Sequence, residues 1–98
     1  MTSQASRVCA RFPLGRLNAT PRALELLRKR SVHVIELLAR HQQGDWGELD
    51  PADTAANQFA IVNGLRILSS YPIGESERVW IITEADRSST TVLLPEDY

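Results

Sequence analysis

The sequence predicts an α+β fold, with about three helices followed by a three-stranded antiparallel sheet. Three observations carry that expectation. Thr20-Pro21 and Asp50-Pro51 each place a capping side chain before a proline, the pattern that opens a helix. At Leu65 the apolar spacing changes from helical to β-branched and alternating. The links between the strand-like stretches are too short for a crossover, so neighbouring strands must run antiparallel, with the helices on one face.

The elements follow in order. Residues 1–13 are rich in Ser, Gln and Arg and read as a flexible leader, and residues 14–98 as one domain. Residues 14–19 alternate weakly and suggest a fourth, short edge strand. A helix is expected over residues 21–30, with Ala23, Leu24 and Leu27 on one face and Glu25 four residues before Lys29. Ser31 is placed to cap a second helix over residues 32–41, whose stripe Val34, Leu37, Leu38 and His41 has helical spacing. Gly44 ends it. Residues 45–49 lie between breaks and fit no regular element. A third helix is expected over residues 51–63, with Ala52, Ala55, Ala56 and Phe59 as a smooth packing face and Gly64 at its end. Strands are expected over residues 65–71, 78–84 and 89–94, the last stopped by Pro95.

Composition excludes several classes. A chain of 98 residues with 43% hydrophobic and 23% charged residues is neither disordered nor collagen-like. Its apolar runs fall far short of the roughly 20 residues that span a bilayer. Cys9 is alone, which rules out an internal disulfide and fits a reducing compartment. No apolar signal core is present, so the expected location is cytoplasmic. The net charge is -1, but residues 1–40 carry eight Arg and Lys against Glu25 and Glu36, while residues 41–98 carry three Arg against ten acids. Such a split arises when two halves pack on each other, when copies pair basic face to acidic face, or when phosphate is bound. The near-zero net charge and the scarcity of stacking aromatics in the basic half, Phe12 apart, favour salt-sensitive self-association over nucleic-acid binding.

The run His41-Gln42-Gln43-Gly44-Asp45-Trp46-Gly47-Glu48-Leu49 and the tail from Val79-Trp80-Ile81-Ile82-Thr83-Glu84 to Leu94-Pro95-Glu96-Asp97-Tyr98 carry a resemblance. From Leu14 to Tyr98 the chain resembles a family of small uncharacterised bacterial proteins of plasmids and other mobile elements. The resemblance implies no defined activity. The sequence departs from that family at Arg28-Lys29-Arg30-Ser31-Val32-His33, where a Gly, Asp or Pro-type link is usual. A looser likeness of layout joins the chain to barnase-like and colicin-like toxin ribonucleases.

A ribonuclease of that layout needs a general base, a general acid and cations on the phosphate. His41, Glu84, Arg87, Ser88 and Thr90 are the residues able to supply them. The competing reading has His41 and Asp45 capping a helix end and a turn, and the polar Glu84–Thr90 connection as an ordinary tight turn. Asp45, Trp46 and Arg87 are the candidate binding residues, although Trp46 is expected to plug the core and Trp80 to cover the sheet. His41, Asp45, Glu48 and Asp50 have metal-ligand chemistry without a metal-site spacing, so no metal is expected. No cofactor motif is present. The expected function is that of a non-enzymatic accessory protein acting on a protein partner or on itself, with a small nuclease as the alternative. Geometry separates them. An open cleft joining His41, Glu84 and Arg87 favours the enzyme, and a His41 buried against Leu38 and Trp46 disfavours it.

Overall fold

Both capping pairs act as their residues predict. Thr20 Oγ1 accepts the Ala23 N–H at 3.2 Å and Asp50 Oδ1 accepts the Asp53 N–H at 2.8 Å, each with proline at the first helical turn. The structure is a computed structural model that describes residues 10–98. In order it contains β1 (Arg16–Ala19), α1 (Pro21–Lys29), α2 (Val34–Gln43), α3 (Pro51–Asn63), β2 (Ile67–Pro72), β3 (Arg78–Thr83), β4 (Ser89–Leu93) and a 3-10 turn (Pro95–Asp97). The fold is α+β, with three helices and a four-stranded mixed sheet of order β1-β4-β3-β2.

The sheet contains the expected antiparallel strands together with the short edge strand suggested over residues 14–19, but that strand makes the sheet mixed. β2 with β3 and β3 with β4 are antiparallel, but β1 joins the far edge parallel to β4. Three helices and two strands separate β1 from β4, ample chain for the crossover that parallel neighbours require. The register puts Ile67, Ser69, Tyr71, Val79, Ile81, Thr83, Thr90 and Val92 on one face, where the helices lie. Ala23, Leu26, Leu27, Leu37 and Leu38 pack there. In α1 it is Leu26 that joins Ala23 and Leu27 in the core, while Leu24 is exposed. Trp80, on the opposite face, is half-buried and meets the Tyr98 ring edge-on at 5.9 Å.

Ser31 does not cap α2. It takes a left-handed conformation (φ 57°) just after α1. Its N–H donates to Arg28 O at 3.2 Å and the Val32 N–H to Leu27 O at 2.9 Å. That pair of bonds is the Schellman closure of a helix, and it delays α2 to Val34. Gly44 ends α2 with the same pair, Gly44 N–H to His41 O and Asp45 N–H to Arg40 O.

Residues 1–9 of the expected leader lie outside the described residues. Arg11 and Phe12, also assigned to it, are held instead. The Arg11 N–H donates to Gln42 O at 2.8 Å, Gln42 Nε2 donates to Phe12 O at 2.9 Å, and the Phe12 ring is buried with Trp46, Ala60 and Ile67.

Candidate functional site

The stripe of α2 that carries Leu37 and Leu38 inward also carries His41, which is 0% exposed. Its Nδ1 lies 2.6 Å from Ser69 Oγ and its Nε2 2.9 Å from Thr83 Oγ1. Thr83 Oγ1 is 2.7 Å from Thr90 Oγ1, which donates to Leu14 O at 2.7 Å. The carbonyl at the end of this chain fixes every proton. Thr90 must donate to Leu14 O, so Thr83 must donate to Thr90, and His41 must donate from Nε2 to Thr83. Nδ1 then accepts from the Ser69 hydroxyl. Burial pushes the imidazole down to about 4, so the ring is neutral. Phe12 and Trp46 close over it edge-on, at 5.2 and 5.9 Å between centroids. Thr90 was among the site residues expected from sequence, but Ser69 and Thr83, which bond the ring itself, were not. Their signal was a hydroxyl side chain at the inward-facing alternate of a strand.

Asp45 accepts Arg40 Nε at 2.7 Å, and this bond holds its carboxyl below the usual value. Its carbonyl accepts the Tyr71 hydroxyl at 2.6 Å, a phenol that burial pushes up to about 12. Trp46 is 6% exposed and stacks on Phe12 at 6.3 Å. Its carbonyl accepts the Ser70 N–H, and the Glu48 N–H donates to Ser70 O. The Trp46–Glu48 stretch thus docks on the free edge of β2. Gly47 sits between at φ 76°, where a Cβ would run into Ser70 O, so only glycine fits.

Arg87 spends its guanidinium on carbonyls. It donates to Leu65 O at 2.6 Å, Ala60 O at 2.9 Å and Glu84 O at 3.1 Å, tying the β3–β4 connection to the end of α3. Glu84 and Ser88 are exposed. The structure therefore brings together His41, Thr90 and Trp46, and leaves Glu84 and Ser88 outside that cluster. His41 has no opening to solvent. The outer face of the sheet carries a groove of about 260 Å³ between Arg66, Leu68, Trp80, Ile82 and Tyr98, with none of these candidate residues in its lining. Among the described residues no group of three His, Cys, Asp or Glu side chains could hold a metal ion. Glu48 pairs with Arg78 at 2.6 Å and Asp50 caps α3, away from His41. No helix among the described residues is long and apolar enough to cross a membrane.

The face of α3 expected to pack is the one that does not. Asn57 and Ala60 are buried, whereas Ala52, Ala55, Ala56, Phe59 and Val62 lie on the opposite side. Phe59 is 59% exposed and Val62 81%. The physical reason is Asn57. Its Nδ2 donates to Leu68 O at 2.6 Å and its Oδ1 accepts the Leu68 N–H at 3.0 Å, so one amide satisfies both backbone groups at the open edge of β2. Those two bonds seat Asn57, with Ala60 and Ile61 beside it, against the core and leave the Phe59 and Val62 side outward. The chain matches no family model, no curated protein and no solved structure.

Proposed function

We propose that the protein is a non-enzymatic accessory protein of bacterial mobile elements that acts in the cytoplasm by protein contact, through the outward face of α3. One observation carries the reading: Phe59 and Val62 stand in solvent on a helix already anchored by its other side. Large apolar side chains clustered on one exposed face mark contact surfaces. The neutral, enclosed His41 and the carbonyl-bound Arg87 support it further, since neither is presented to a substrate. The mobile-element context rests on the sequence resemblance alone.

A photoreactive residue at Val62, compared in cells with one at the exposed Glu75, tests the reading. The expected outcome is protein adducts at position 62 and none at 75. The absence of adducts at position 62 would defeat it. So would RNA or DNA cleavage that is lost in His41→Gln, which would restore the nuclease alternative.

A further inference from the structure

We infer that the partner of this face is a second copy of the chain, docked with its α3 antiparallel to the first about a two-fold axis. The inference rests on the protein-contact reading above and names its occupant. Along α3 the outward residues Ala52, Ala55, Phe59 and Val62 are spaced three, four and three apart, the seam spacing of paired helices. The first two are small and the last two large. Antiparallel pairing puts Ala55 against Phe59 of the other copy and Ala52 against its Val62, so each layer joins one small and one large side chain. Parallel pairing would stack Ala on Ala and Phe on Phe, leaving gaps at one end and crowding at the other.

Charge selects the same orientation. The N-terminal end of α3 carries Asp50 and Asp53. Antiparallel copies oppose the helix dipoles and keep the two acidic ends apart, whereas parallel copies bring acid to acid. A symmetric contact of this kind uses the same patch on both copies and closes at two. The other occupant within the chain, residues 1–9, offers only Met1, Ala5, Val8 and Cys9 as apolar groups against this seam. A helix of 13 residues is about 20 Å long, so the interface is at the small end of those that are stable.

Sedimentation over a concentration series, with a Cys9→Ser background for cross-linking, tests the inference. Val62→Lys should weaken association about tenfold or more by burying an amine in the seam, with an unchanged circular dichroism spectrum because Val62 is exposed. Ala52→Cys and Val62→Cys together should oxidise to a covalent dimer, while Ala52→Cys alone should not. Association should survive high salt because the seam is apolar, unlike the salt-sensitive pairing that the charge split suggests. A monomer at every concentration, a dimer indifferent to Val62→Lys, or cross-linking of Ala52→Cys alone would overturn the inference. Adducts at position 62 to a different protein, with a monomeric chain, would overturn it while leaving the protein-contact reading intact. No adduct at position 62 would remove both.

Discussion

Burial holds the His41 imidazole neutral, with its pKa lowered from 6.5 to about 4. A base whose native pKa lies below its unfolded value binds its proton more readily in the unfolded chain. The stabilisation is therefore complete above pH 6.5 and is lost as the pH falls from there towards 4. The size of the shift corresponds to about 3 kcal/mol. The urea midpoint should fall steeply as the pH drops from 6.5 towards 5, and a flat midpoint there would mean that the ring is not enclosed. Nitrogen chemical shifts should place the proton of the neutral ring on Nε2, as the hydroxyl chain to Leu14 O requires. Trp46 closes the same cluster and is 6% exposed. Trp46→Ala should cost about 3–5 kcal/mol, as truncation of a buried aromatic does. A loss below about 1 kcal/mol in denaturant titration would put Trp46 on the surface as a binding anchor.

Thr20, Asp50 and Gly44 act at helix ends as their residue types suggest, whereas Ser31 does not. A serine after a helix can start the next helix or close the last one, and the choice depends on backbone angles that the sequence does not carry. Ser31 closes α1 in a left-handed conformation. Ser31→Gly should raise stability by up to about 1 kcal/mol, the relief of that conformation less the freedom glycine adds to the unfolded chain. Were Ser31 the cap of α2, the same change would cost a few tenths of a kcal/mol, so the sign of the shift in thermal midpoint decides. The apolar pattern of α3 was legible as well, but not the side that packs. Periodicity marks a face as apolar. It does not foresee that Asn57 will be drawn inward by the unpaired backbone of Leu68.

At the scale of the whole molecule, local signals were readable and distant pairings were not. The three helices, the helix-to-strand change and the buried Trp46 follow from spacing and residue type within a short window. The parallel seat of β1 on β4 and the partners of His41, 28 and 42 residues away, depend on contacts between remote segments. The charge split belongs to the same class. Arg22 meets Asp97, Arg30 meets Glu77 and Arg40 meets Asp45, each pair joining the basic first part of the chain to the acidic second. Arg28 is taken by Glu25 and Arg78 by Glu48. These pairs add little to stability, but they occupy five of the cations that a phosphate backbone would need. Nucleic-acid affinity depends on how many phosphates are met by otherwise unpaired cations, and its salt dependence reports that number. A single-stranded oligonucleotide at low salt should therefore leave the sedimentation of the protein unchanged. Binding whose logarithm falls several-fold faster than that of the salt rises would mean that the Arg22–Arg30 stretch of α1 opens its ion pairs to phosphate, and the charge split would then serve a polyanion rather than the packing of the two halves.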